Sequence, residues 1–209
     1  MIGQGALLEC LRDADVGRVI TIGRRSTGRV HEKLEDIVHD DLSNLGTVEH
    51  ALTGLDACLF CIGVSAVGMS EEAYARVSYE LTMAVAATLV RTSPRMTFVY
   101  VSGAGSDSTE RGRFMWARVK GRTENALLGT PFGAVYIVRP GFIVPMDGIR
   151  SSTPLYNAGY TLARPLLPIL QRVAPRFLTT TRQLGRAMLG VAKHGYETRI
   201  LEMTDIQRF

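Results

Sequence analysis

Asp56-Ala-Cys-Leu-Phe-Cys-Ile62, closed by Gly63, is a nearly continuous apolar run of strand length. A strand with one wet face would alternate apolar and polar residues, so this run reads as buried on both faces, as in a parallel sheet covered by helices. The chain on either side fits that reading. Ser70 is a good N-cap, with Glu71 and Glu72 in the first turn where the helix dipole favours negative charge. The spacing predicts a helix to about Val90 that buries Tyr74, Val77, Leu81, Val85 and Leu89. Thr97-Phe-Val-Tyr-Val101 and Ala134-Val-Tyr-Ile-Val138 are two more buried strands, separated by a helix over Arg113 to Leu128. Upstream lie a helix over Gly3 to Leu11, a strand over Arg18 to Ile22 stopped by Gly23, and a weaker strand around Ile37-Val38. Downstream, helices are expected from Pro154 to Val173 and from Thr181 to Lys193, before a short extended piece, Arg199-Ile-Leu-Glu202. Strands and helices alternating in this way predict a doubly wound α/β domain. Its ligands bind outside the carboxyl ends of the strands.

Composition agrees. The 209 residues suffice for one such domain, taken here as 1–209, with 142–209 covering the substrate side. Apolar residues make up 46% and charged residues 21%, a globular balance. The net charge of +4 is not gathered into a Lys/Arg block, so it favours a small anionic ligand over nucleic acid. Three cysteines build no disulfide framework and point to a reducing compartment. No apolar run approaches the roughly 18 residues of a membrane span, and Glu9 and Arg12 interrupt the apolar run near Met1. The expectation is a cytoplasmic protein.

The chain opens Ile2-Gly3-Gln4-Gly5 and runs straight into a helix. About 20 residues on, at the end of the next strand, stands Gly23-Arg24-Arg25. In a dinucleotide fold that position faces the adenosine ribose; an acid there binds the 2′-hydroxyl, and an arginine accommodates a 2′-phosphate. Two arginines and no acid favour NADP over NAD. The competing reading is a solvated basic turn.

Together, Ile2-Gly3, Gly23-Arg24-Arg25, Ser102-Gly-Ala-Gly105, Lys120-Gly121 and Arg139-Pro-Gly141 resemble the short-chain dehydrogenase/reductase superfamily. More narrowly, the chain is similar to the small, atypical, epimerase/dehydratase-like NAD(P)-binding members, a group that includes the animal Tat-interacting oxidoreductase. The resemblance covers nearly the whole chain and implies a Rossmann-type sheet. It also implies roles for particular residues. Gly3 matches the last glycine of the Gly-rich turn, beside the pyrophosphate. Asp40 or Asp41 matches the acid that contacts adenine. Cys61-Ile-Gly63 matches the small-residue wall along the cofactor. Ser102 stands where the family has its catalytic Ser or Thr, hydrogen-bonded to a substrate carbonyl. Lys120 matches the lysine that holds the nicotinamide ribose. Pro140, Gly141 and Phe142 match the loop whose backbone meets the nicotinamide amide.

Two departures stand out. Family members begin with a strand and a Gly-x-x-Gly, and this sequence has neither, so it reads as N-terminally truncated: the first strand and the first half of the Gly-rich loop are missing. That strand belongs between those at Val19 and Leu59, and its loss leaves a gap of about two spacings of roughly 4.8 Å. Secondly, the family's Tyr-x-x-x-Lys reads Trp116-Ala-Arg-Val-Lys120 here. An indole donates a hydrogen bond but does not titrate, so Trp116 is no proton donor, and the lysine's second task of lowering a tyrosine pKa has no target. Tyr74 and Tyr79 are relocated candidates that the sequence does not place.

Other motifs are weaker. Cys58-Leu-Phe-Cys61 spells C-x-x-C, but within a strand residues three apart point to opposite faces, so these are small buried hydrophobes. His31, His39, His50 and His194 lack metal-ligand spacing. The stretch 165–177 is apolar with basic punctuation, a pattern that suits a membrane surface, a partner protein or the wall of a substrate cleft alike. The sequence thus reads as an NADP-dependent oxidoreductase or epimerase-like enzyme acting on a small carbonyl or hydroxyl substrate. The alternative is a cofactor-binding regulatory protein that senses NADP(H), has lost catalysis and acts through partners.

Overall fold

The structure, a computed structural model, describes residues 1–149 and 178–209. The helix expected from Pro154 to Val173 and the stretch 165–177 lie outside the described residues. The chain runs α1 (Ile2–Arg12), β1 (Val19–Gly23), β2 (Leu34–Val38), a 3₁₀ turn (Gly46–Leu52), β3 (Ala57–Phe60) and α2 (Glu71–Ala75). A π-helical turn (Arg76–Glu80), α3 (Leu81–Thr92), β4 (Thr97–Val101), α4 (Met115–Leu128), β5 (Ala134–Val138) and β6 (Phe142–Val144) follow. The C-terminal part holds β7 (Leu178–Thr180), α5 (Thr181–His194), β8 (Ile200–Leu201) and α6 (Met203–Ile206). Every ladder is parallel.

Alternation within β4 and β5 sends successive side chains to opposite faces. Val99, Val101, Tyr136 and Val138 pack with Ala6 of α1 and Leu184, Ala187, Met188 and Val191 of α5. Phe98, Tyr100, Val135 and Ile137 pack with Val85, Ala86 and Leu89 of α3 and Leu127 of α4. Helices therefore cover both faces, the doubly wound α/β arrangement. Helices α1 and α5 meet backbone to backbone: a Cβ on Gly5 would lie 2.5 Å from the Thr181 carbonyl oxygen, and one on Gly185 2.9 Å from that of Gly5. Gly5 is thus a packing residue.

Ser70 caps α2 as expected, accepting a hydrogen bond from the Ala73 amide at 3.2 Å. The continuous α-helix to Val90 is corrected by the π turn. A π turn takes up an extra residue, and the buried positions move on by one, from Val77 and Leu81 to Ser78 and Thr82. Strands β6 and β7 and helix α6 were not legible in the sequence; among the described residues β6 and β7 pair only with each other.

The central sheet is interrupted. β3, β4, β5 and β8 form one four-stranded sheet, and β1 and β2 form a separate pair. Helix α1 packs on both β1 and β3, which do not pair with one another. Among the described residues no strand bridges β1 and β3, the place where the sequence predicted a gap. This lack of pairing also explains why the reading of Asp56 to Ile62 as buried on both faces is only partly met: of β3 only Phe60 is buried, and β1 is half-buried throughout. In β4 and β5, flanked by strands on both sides, four of five residues are buried.

Candidate functional site

The register Phe60–Tyr100–Ile137 aligns the carboxyl ends of β3, β4 and β5. At that edge the Ser102 amide donates to the Val138 carbonyl (2.8 Å) and the Ala104 amide to that of Pro140 (2.9 Å). The Gly141 amide lies 2.9 Å from Met203 Sδ. On the other side Gly3 opens α1 against Cys61; a Cβ there would sit 3.4 Å from that of Cys61. Gly3, Cys61, Gly63, Ser102, Pro140, Gly141 and Phe142 therefore gather along one edge, and Gly63 and Phe142 are exposed. Helix α1 has no side-chain cap and no acid in its first turn, so its amide groups are oriented for an anion.

Strands β1 and β2 end in register at Gly23 and Val38, so Arg24-Arg25 and Asp40-Asp41 leave the sheet at the same edge. Both arginines are exposed and make no hydrogen bond or ion pair. Asp41 is turned into its own loop, accepting from the Ser43 amide (2.9 Å) and hydroxyl (2.5 Å); Ser43 holds its carboxyl below the usual range. Asp40 is exposed and has no such partner. Sequence reasoning missed Asp36. One of its carboxylate oxygens accepts from Thr21 Oγ1 (2.6 Å). The other accepts from Ser26 Oγ (2.7 Å), the Thr27 amide (2.7 Å) and Thr27 Oγ1 (2.9 Å).

Ser102 does not stand alone. Its hydroxyl meets the carboxylate of Glu124, and Ser106 Oγ lies 2.9 Å away. Glu124 is fully buried and gripped by both arms of the Arg139 guanidinium, Nε at 3.1 Å and Nη2 at 2.5 Å. Arg139 continues to Glu202 (3.0 Å) and Ser108 (2.8 Å). An ionised carboxylate only accepts, so Ser102 gives its one proton to Glu124. In this arrangement the Ser102 hydroxyl is engaged by Glu124, and its lone pairs face outward from that contact. The sequence signal for Glu124 is its place one turn after Lys120; Arg139 stands in the sequence as part of the Arg139-Pro-Gly141 motif. Removing one member of a buried pair leaves an uncompensated charge. Glu124→Ala and Arg139→Ala are each expected to lose about 3–5 kcal/mol of stability. A Glu124→Leu/Arg139→Met double variant should lose less than their sum. Denaturant unfolding measures this, and strictly additive losses would show that the pair is not coupled.

Lys120 has a partner that the sequence did not supply. Its Nζ donates to Tyr100 Oη and to the Val101 carbonyl, both at 3.2 Å, and lies 5.0 Å from the centre of the Tyr100 ring. Burial draws the Lys120 ammonium down to about 8, against the attraction of Glu124. Tyr100 is 1% exposed, and burial pushes its phenol upward, so the contact makes no acid of it. Tyr74 is buried as well and likewise shifted up by burial, while Tyr79 lies half-buried under the Arg122 guanidinium at 4.2 Å. Trp116 is half-buried, its ring edge 3.5 Å from where a Cβ on Gly105 would be. The Lys120-Gly121 pair also has a packing reason, since a Cβ on Gly121 would fall 1.7 Å from the Asp107 carbonyl oxygen.

Cys58 packs on the α3/α4 side of the sheet and Cys61 on the α1/α5 side. Burial pushes both thiols up to about 12. Among the described residues no cluster of His, Cys, Asp and Glu is arranged to hold a metal. No helix among them is long and apolar enough to cross a membrane.

No protein-family model matches the chain. A protein named fmp52-2, mitochondrial, from Aspergillus terreus is 23% identical over 219 residues, covering 99% of this chain and 91% of its own. Several solved structures share the fold. Aldohexose dehydrogenase from Thermoplasma acidophilum, in ligand-free form, superposes with TM-score 0.66 at 13% identity over 96% of this chain and 87% of its own. UDP-galactose 4-epimerase does so with TM-score 0.66 at 16% identity over 97% and 72%. For gox2253 the TM-score is 0.65 at 15% identity, and the chain spans 93% of itself but only 64% of that protein. The fold is therefore the Rossmann-type fold of short-chain dehydrogenases and nucleotide-sugar epimerases, as the sequence motifs implied.

Proposed function

We propose that this chain is an NADP-dependent oxidoreductase or epimerase-like enzyme of the cytoplasm, acting on a small carbonyl or hydroxyl substrate. The observation that carries the reading is the pair Arg24 and Arg25, free of any partner at the carboxyl end of β1. A 2′-phosphate is the anion expected at that position of this fold. The rest of the edge fits the same cofactor. The open amino end of α1 at Gly3 suits a pyrophosphate, Asp40 is free for adenine, and the Pro140–Phe142 backbone borders the nicotinamide position. When bound, the nicotinamide supplies hydride transfer. Lys120 would hold the ribose and Ser102 would face the substrate.

The cofactor preference tests this reading. Charge-assisted bonds to a phosphate favour NADPH over NADH by roughly tenfold to a hundredfold. Fluorescence titration of the chain with both cofactors should show that ratio, and Arg24→Ala/Arg25→Ala should erase most of it. Equal affinity for the two cofactors in the unmutated protein would sink the reading.

A second reading is favoured by Trp116 and by the committed contacts of Ser102 and Lys120. It is a regulatory protein that binds NADP(H), does no chemistry and acts through partners.

A further inference from the structure

The loop between β1 and β2 carries Arg24 and Arg25 on its first two residues, and three hydrogen bonds from the loop and one from β1 converge on one side chain. We propose that Asp36 is a positioning residue for cofactor discrimination: by tying Thr21, Ser26 and Thr27 to β2, it holds Arg24 and Arg25 where a 2′-phosphate meets both. The inference rests on the reading of those arginines as the phosphate clamp.

Arg24 and Arg25 are exposed, and nothing they touch fixes them. Long free side chains lose rotamer and backbone freedom when they grip a ligand, and affinity falls by that cost unless the backbone is already set. Here it is set from both sides. Before the arginines, Thr21 of β1 is bonded to Asp36 across the ladder, opposite which it lies in register. After them, Ser26 and Thr27 converge on the other oxygen of the same carboxylate. The hydroxyls pass the order on: Ser26 Oγ accepts from the Gly28 amide at 3.0 Å and Thr27 Oγ1 from the Arg29 amide at 3.3 Å. A single side chain thus brackets the arginine pair. Burial of the Asp36 carboxylate works against its charge, and the bonds from Thr21, Ser26 and Thr27 outweigh it and hold the group at about 2. Its folded value lies below the ordinary 3.8, so the bracket is fully charged above about pH 4 and is lost only as pH falls through 2. The neighbouring charges leave it alone: Glu35, on the opposite face of β2, pairs with Arg18, and Lys33 donates to the Asp13 carbonyl.

The test compares affinities for NADPH and NADH in the full chain, with circular dichroism confirming the fold. Asp36→Ala should lower the NADPH-to-NADH preference by about fivefold or more, with NADH affinity unchanged. Asp36→Asn keeps an acceptor for Ser26 and Thr27, and should retain most of the preference. If Asp36→Ala does not fold, Ser26→Ala/Thr27→Val removes two of the donors and leaves both strands intact; it too should narrow the ratio. An undiminished preference in these variants would overturn the role of Asp36 while leaving the arginine clamp standing. Equal loss of both cofactors would overturn it as well, by making Asp36 merely structural. An unmutated chain that binds neither cofactor, or binds both alike, would overturn the clamp itself and this inference with it.

Discussion

Joining a short Val/Ile-rich strand and a Gly-x-x-Gly turn to Met1 should raise the melting temperature by about 10–20 °C. The slot for that strand already exists. Among the described residues β1 pairs only with β2 and β3 only with β4, and both flank α1. Two rows of backbone donors and acceptors thus lack strand partners, and the apolar side chains of Val19 to Ile22 and Ala57 to Leu59 stay half-buried. Helix α1 begins beside Cys61, at the carboxyl end of β3, so a parallel strand in the slot would end next to Met1. Each Val or Ile buried there contributes about 1.5–3 kcal/mol before the cost of ordering the added residues. A net gain of about 3–6 kcal/mol moves the melting point of a chain this long by roughly 10–20 °C. Cofactor affinity should rise with it, because the turn completes the phosphate loop at Gly3. Calorimetry on both chains decides the matter; equal melting points would mean that the gap costs nothing.

The second expectation separates enzyme from sensor. Trp116→Tyr places a phenol one helical turn before Lys120, on the same face of α4. General acid–base groups contribute about 10²–10⁴-fold in rate, so turnover of some aldehyde or ketone with NADPH should rise by that order. Cofactor affinity should hardly change, since Arg24, Arg25 and Lys120 are untouched. The buried pair of Tyr100 and Lys120 does not replace that phenol: Tyr100 is closed off from solvent and its proton is held more tightly than in water. Robust turnover by the native chain, abolished by Ser102→Ala, would establish the enzyme without the substitution. Tight NADPH binding with no turnover in either chain would decide for the sensor. Trp116 is the single tryptophan, so its quenching on binding reports cofactor occupancy in the same samples.

The sequence by itself determined most of the strands and helices up to β5 and their order. Ser70 with Glu71 and Glu72, and the apolar runs at 97–101 and 134–138, specify structure through neighbours a few residues away, and each of these stands where its pattern put it. The lack of pairing between β1 and β3 among the described residues was legible too, because strand order in a doubly wound sheet is fixed. Opposite faces for Cys58 and Cys61 followed from the two-residue period of a strand. The tertiary structure alone decided what the polar side chains do. Glu124 lies 22 residues from Ser102 and 15 from Arg139, and Asp36 lies 15 from Thr21. No periodicity encodes such distances. Lys120 reaches Tyr100 only because α4 packs on the face of β4 that carries it. The π turn and the short ladder of β6 and β7 escape the sequence for the same reason. A local propensity is too weak to place one extra residue in a helix or to pair two three-residue strands, and the packing of the whole domain makes the choice.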